Sequence, residues 1–169
     1  MSKLLIVFAV ISRLIPHPWS FTPVGAVGLY AGARMNPRTA WMVPLIALLV
    51  SDIFVGFYDW RVMLGVYAGF MLAPAIGWLM LRGDASGKTR ATRIGSAVVI
   101  NAIAFYLVSN FGVWAAGYYP PTLAGLVACY IAGLPFLGVA LLGDSFYSVL
   151  LFGGFERIGQ YMPAKWRFA

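Results

Sequence analysis

Val62-Met63-Leu64-Gly65-Val66-Tyr67-Ala68-Gly69-Phe70-Met71-Leu72-Ala73-Pro74-Ala75-Ile76-Gly77-Trp78-Leu79-Met80-Leu81 contains no charged side chain. One helical crossing of a bilayer takes about 20 predominantly apolar residues, so this stretch fits a membrane span. The chain around it has the same character: of 169 residues, 62% are hydrophobic and 10% charged, with a mean hydropathy of +0.85. Further apolar runs lie at about 4–15, 22–33, 40–58, 94–109 and 122–142, with another at about 145–158. A soluble domain of this length would leave far too much of that surface in water. The expected fold is therefore all-α: a polytopic integral membrane protein forming a single domain over 1–169. It is a compact bundle of about six transmembrane helices, some of them short or broken.

The first two runs are short for a full crossing, and one or both are expected to stop partway or tilt under cover of their neighbours. The last two are divided only by Pro135 and by Gly143-Asp144, which leaves two crossings or one crossing plus a partly re-entrant piece. Charge orients the bundle, because short cytoplasmic loops collect Lys and Arg. Arg34 and Arg38 flank one turn and Arg82, Lys88, Arg90 and Arg93 crowd another, whereas 110–121 carries no charge. With those turns and Lys3 cytoplasmic, the loops holding His17, Asp59 and Trp114 face outward. Arg157, Lys165 and Arg167 join the cytoplasmic side if the number of crossings is even, which favours six over seven. Trp41 and Trp78 then fall near the inner boundary, and Tyr58, Trp60, Trp114, Tyr118 and Tyr119 near the outer one. The net charge of +7 is accounted for by this asymmetry and the lipid bilayer, with no nucleic acid as a partner. Lys3 and the apolar run behind it imitate a signal peptide, but Arg13 and a proline cluster follow in place of a small-residue cleavage site. The segment is expected to be retained, in a bacterial inner membrane, with a cytoplasmic N-terminus. Cys129 is alone in an apolar run, so it reads as a packing residue rather than part of a disulfide or metal site.

Polar residues are rare enough here that each needs a reason. Ser12-Arg13-Leu14-Ile15-Pro16-His17-Pro18-Trp19-Ser20-Phe21-Thr22-Pro23 breaks the apolar pattern with prolines and two basic side chains. Irregular backbone at membrane depth is tolerated only where protein covers it or it lines a cavity. Arg13 and His17 would suit an anionic or hydrogen-bonding group on a small molecule; the alternative is a structural turn pinned by Pro16, Pro18 and Pro23. A second outward region, 109–121, combines Asn110 with Phe111, Trp114 and Tyr118, the makings of a pocket wall for a flat, largely apolar ligand, or of an interfacial aromatic belt. Asp52 lies deep in its run as a ligand contact, a cap or a partner for Arg13, and Asp144 suits the N-cap of a last helix or pairing with Arg13. Asp52 and Asp59 are seven residues apart, which would place them on one helical face.

Several patterns exclude chemistry. Gly83-Asp84-Ala85-Ser86-Gly87-Lys88-Thr89 has three residues where a phosphate-binding loop needs four before its Gly-Lys pair, and no strand precedes it. With one histidine and few carboxylates, no Ser-His-Asp triad or metal cluster can be assembled. No catalytic residues, metal ligands or cofactors are expected, and the protein is not read as an enzyme. Gly65, Gly69, Ala73 and Gly77 form one small-residue stripe, Ala124, Ala128 and Ala132 another, and Gly28-Leu29-Tyr30-Ala31-Gly32 a shorter third. Such stripes let backbones approach closely, within one chain or against a partner membrane protein.

Phe21-Thr22-Pro23-Val24-Gly25-Ala26, Ala31-Gly32-Ala33-Arg34 and Leu48-Leu49-Val50-Ser51-Asp52-Ile53-Phe54-Val55-Gly56, following a short first helix and a polar outward loop, resemble the substrate-binding membrane subunit of energy-coupling-factor transporters. More closely, Arg13-Leu14-Ile15-Pro16-His17-Pro18, Ser109-Asn110-Phe111-Gly112-Val113-Trp114 and Leu142-Gly143-Asp144-Ser145-Phe146-Tyr147 are similar to an uncharacterised bacterial family of membrane transport proteins associated with that group. The resemblance implies six helices holding a vitamin, a cofactor precursor or a transition-metal ion near the outer face, with inward release driven by a separate ATP-hydrolysing module. This chain departs from that pattern in two places. Its first helix offers only Ala9 and Ser12 as small residues and lacks the Ala-x-x-x-Ala docking pattern, so it resembles the solitary members at least as well as those with an energising module. It also lacks the amino-terminal Met-His arrangement of the metal transporters, which points to an organic small-molecule substrate. The expected site then comprises Arg13, His17, Trp19, Phe21, Asn110, Phe111, Trp114 and Tyr118, with Asp52 and Asp144. The competing reading is a structural or assembly subunit of a larger membrane complex.

Overall fold

The computed structural model describes residues 2–15, 20–83 and 85–156. Among them the chain forms six helices: α1 (Ser2–Leu14), α2 (Val24–Arg34), α3 (Pro37–Val55), α4 (Trp60–Leu81), α5 (Gly87–Val113) and α6 (Leu123–Ser148). Wider π-helical turns extend α5 over Trp114–Tyr118 and α6 over Val149–Phe155. α3, α4, α5 and α6 with their extensions are each long and apolar enough to cross a membrane. The expected all-α membrane bundle is the fold observed.

Local chemistry sets the helix starts. Asn36 Oδ1 accepts from Arg38 N at 3.1 Å with Pro37 in the first turn of α3, Asp59 Oδ1 accepts from Arg61 N at 2.8 Å to start α4, and Thr122 Oγ1 accepts from Gly125 N at 3.1 Å to start α6. Each occupies one of the backbone donors that a helix leaves unpaired at its beginning. Asp59 is thus a cap beyond the end of α3, not a second carboxylate on the helix of Asp52. Gly143-Asp144 ends nothing either: α6 runs through it, and Asp144 does not cap a last helix.

α2 organises the interior. All of its residues from Val24 to Ala33 are buried, and its 11 residues reach only about 16 Å, half the hydrocarbon thickness. Its N-terminus therefore stops inside the protein, and groups from outside the helix satisfy both ends. Asp144 Oδ1 of α6 accepts from Ala26 N at 3.1 Å at the first turn. Arg82, after α4, donates through Nε to Gly32 O at 3.3 Å and through Nη2 to Met35 O at the last turn. A negative group at the N-terminus and a positive one at the C-terminus both match the helix dipole.

Small residues permit the tight packing around α2. A Cβ on Gly32 would strike the Pro74 carbonyl, and one on Gly77 the Leu29 carbonyl; on Gly28 it would come within 2.6 Å of Ala73 Cβ. Gly65 meets Gly112 across the α4–α5 contact, where an added Cβ would sit 2.9 Å from Gly112 Cα. The stripe Gly65, Gly69, Ala73 and Gly77 is therefore spent within the chain. On α6 the packed row is Gly125, Cys129 and Gly133, one residue out of phase with the expected Ala124, Ala128 and Ala132, which are exposed. Large apolar side chains such as Phe54, Leu79, Leu123 and Val149 point outward, each more than two-thirds exposed, as lipid-facing residues do.

At one end of the bundle, Arg34 Nε pairs with Glu156 Oε1 at 2.8 Å and Arg90 with Glu156 Oε2, joining α2, α5 and the end of α6. This is called the Glu156 end. The opposite, Trp60 end is where α1 meets the C-terminus of α3.

Candidate functional site

The C-termini of α1 and α3 are held together by charge. Arg13 Nη2 lies 2.9 Å from Asp52 Oδ1, and Arg13 Nη1 donates to Ser51 Oγ at 2.5 Å. Tyr67 of α4 donates its hydroxyl to Asp52 Oδ2 at 2.7 Å. Asp52 is 1% exposed. Its charge is met by a guanidinium and a phenol, so the pairing considered for Arg13 is the arrangement present.

Beside this pair, at the Trp60 end, opens a cavity of about 950 Å³. One side is made by Arg13 and Leu14 of α1 and Ile15 just after it, with Val55, Tyr58 and Val66; another wall is Phe105, Ser109 and Asn110 of α5 with Cys129, Gly133 and Phe136 of α6. Ser20 and Tyr119 contribute at the loops. The mixture is largely apolar with a few hydroxyl, amide and guanidinium groups, and its size suits a small organic ligand. Burial first, then the Asp52 charge, push the Tyr58 hydroxyl above its ordinary range, keeping it a neutral hydrogen-bonding group. Ser20 adopts a positive φ of 68°, a conformation that costs energy for a non-glycine residue.

The α5–α6 wall is tied together by hydrogen bonds. Asn110 Nδ2 donates to Tyr106 O at 2.8 Å, and the Cys129 thiol to Asn110 O at 3.3 Å. Tyr106 and Tyr130 each donate a hydroxyl across the interface, to Tyr130 O at 2.6 Å and Leu107 O at 2.9 Å. Gly133 leaves the room that the Asn110 side chain occupies, since an added Cβ would land on it.

Of the residues proposed from sequence, Arg13 and Asn110 line the cavity, with Asp52 directly behind Arg13. Phe21 instead packs against Phe146 and Tyr147, with ring centroids 5.9 and 5.6 Å away. Phe111 is half exposed and stacks against Trp114 at 5.6 Å. Trp114 and Tyr118 line a separate depression with Pro120 and Pro121, where Trp114 Nε1 donates to Pro120 O at 3.0 Å. Asp144 lies inside the bundle against α2 and Asn101. His17 and Trp19 lie outside the described residues, as do Arg157, Lys165 and Arg167. Sequence reasoning missed Ser20, Phe105, Phe136 and Gly133 as lining residues, and passed over Tyr58 as an interface aromatic. Ser20 lay within the proline-broken stretch that the sequence singled out, whereas Gly133 lay outside the small-residue row read from it, Ala124, Ala128 and Ala132.

An all-α bundle with four membrane-length helices and a cavity at one end defines a polytopic membrane protein. The chain belongs to a family of unknown function, DUF6580, whose model matches residues 1–165. No curated protein and no solved structure matches it.

Proposed function

We propose that this protein is a solute-uptake protein of the bacterial inner membrane, similar to the substrate-binding subunit of energy-coupling-factor transporters, that captures a small organic ligand of the vitamin or cofactor-precursor type. The observation that carries this reading is the cavity of about 950 Å³ at the Trp60 end, with Arg13, Tyr58, Ser109 and Asn110 among aromatic and aliphatic walls. In this reading the Trp60 end faces outward and the N-terminus is cytoplasmic, as the cationic turns near Arg34, Lys88 and Arg90 favour. Arg13 is neutralised by Asp52, so the ligand is held mainly by hydrogen bonds and apolar contact, not by strong charge. Polar groups at the rim capture it, aromatic rings bury it, and a loop or whole-subunit rearrangement follows.

The exposed face of α1 carries Leu4, Val7, Ile11 and Leu14, while Ala9 is buried. That face is bulky rather than smooth, which favours a solitary protein over one docked to a standard ATP-hydrolysing module. The test is ligand retention: a small molecule should copurify with the protein, and Arg13→Ala and His17→Ala should each lower its occupancy without preventing membrane insertion. Unchanged retention in both variants would remove this site.

A second reading, an assembly subunit of a larger membrane complex, has one observation in its favour: Ala124 and Ala128 leave an exposed smooth strip on α6. A stoichiometric protein partner in mild detergent, with no trapped small molecule, is the result that reading expects.

A further inference from the structure

The carboxylate that meets the first turn of α2 sits among unusual company. Asp144 is 6% exposed, and none of the ion pairs among the described residues includes it. Its Oδ1 takes the Ala26 N–H, and its Oδ2 takes Asn101 Nδ2 at 2.8 Å. Gly25 makes this approach possible, because a Cβ there would collide with both the carboxylate and the amide. Two buried oxygens remain, one on Asn101 and one a helical turn further along α6. Asn101 Oδ1 and Ser148 Oγ have no hydrogen-bond partner, and both residues are 1% exposed. Asn101 is held to Asp144 through its amide nitrogen, so the amide oxygen stays next to the same group. Ser148 follows Asp144 by one helical turn and shares its face of α6.

Buried polar atoms without partners call for an explanation, and an ion is one of the few available. We propose that Asp144, Asn101 and Ser148 form a binding site for a dehydrated monovalent alkali cation, sodium or potassium, inside the bundle. Such an ion engages the amide oxygen, the hydroxyl and a remaining carboxylate lone pair together, and it balances the single negative charge. All three donors are hard oxygens, the type that alkali and alkaline-earth ions take. A divalent ion would leave a net positive charge in an apolar surround, at a large desolvation cost. A water molecule would satisfy the oxygens but not the charge.

A groove reaches one of the three residues. A groove of about 560 Å³ between α5 and α6 has Ser148 in its lining, the small residues Gly87, Ala91 and Gly95 along one side, and Glu156 at its end. A Cβ on Gly95 would meet nothing within 4 Å, so the groove is open there. Ion sites near mid-membrane, beside the end of a short helix, are where transporters couple solute movement to a gradient. Under the uptake reading this would supply a driving force from within the chain; the cation site itself does not depend on that reading.

The experiment compares thermal unfolding of the detergent-purified protein in sodium, potassium and choline chloride at equal ionic strength, with no organic ligand present. One alkali ion should raise Tm by about 3 °C or more over choline, identifying which ion binds. Asp144→Asn, which keeps an oxygen for Ala26 N, should abolish the difference, and Ser148→Ala should weaken the apparent affinity at least about 10-fold. Radiolabelled sodium and rubidium binding to the wild type and to Ser148→Ala gives the same comparison should Asp144→Asn not fold. Equal Tm in all three salts with no bound label, or undiminished binding in Ser148→Ala, would overturn the proposal.

Discussion

Arg13 engages α3 twice, through Asp52 and Ser51, and Tyr67 closes the other side of the same carboxylate. Removing one member of a buried pair leaves the other uncompensated, which costs about 3–5 kcal/mol. Asp52→Asn should accordingly lower stability by about 3 kcal/mol, and Tyr67→Phe by about 1.5 kcal/mol, the value of a hydrogen bond to a charged group. Denaturation of the detergent-solubilised variants checks both, and equal small losses would show that the pair is hydrated. The possibility of Arg13 meeting Asp52 was legible in the sequence, because two rare opposite charges in an apolar chain must be compensated. Asp144 was not legible in the same way. Its partner is the start of a helix 118 residues earlier, and an N-cap supplied by another helix leaves no local spacing to read.

Helices were readable from hydropathy, but their limits were not. The apolar run at 94–109 became a span of Gly87–Tyr118, because helical hydrogen bonding propagates through Lys88, Arg90 and Arg93 once begun and does not require apolar side chains. The run at 122–142 and the described part of the run at 145–158 merged for the opposite reason: Gly143 packs beside Phe21 without a break in the helix, so its composition misled. Glycine stripes told that helices pack closely, not which residues they meet. With the structure, the pairs Gly32–Pro74 and Gly77–Leu29 are the sharpest cases. Gly77→Val should force α2 and α4 apart and cost about 2–3 kcal/mol, while Gly138→Val, where an added Cβ meets nothing within 4 Å, should change stability by less than about 0.5 kcal/mol. Similar losses at both positions would contradict the packing described.

At the scale of the whole molecule, an apolar exterior surrounds a short buried helix, with ion pairs at the Glu156 end and a cavity at the Trp60 end. The proposed orientation is testable in intact bacterial cells. In a Cys129→Ala background, Trp60→Cys should react with a membrane-impermeant maleimide and Ser86→Cys should not; the reverse pattern would turn the bundle over and put the cavity on the cytoplasmic side. Both positions are exposed at opposite ends of α4 and its following turn. The cavity was half legible: Arg13 and Asn110 stood out as polar residues in apolar runs, whereas Phe105 and Phe136 look like any lipid-facing aromatic until two helices bring them together. The central claim is that this cavity holds an organic solute, and mass spectrometry of the purified protein addresses it most directly. The account predicts one small organic molecule at near-stoichiometric amount in the wild type, depleted in Tyr58→Ala, which removes a half-exposed lining side chain. Protein that carries no such molecule and instead copurifies with a stoichiometric membrane partner would contradict it.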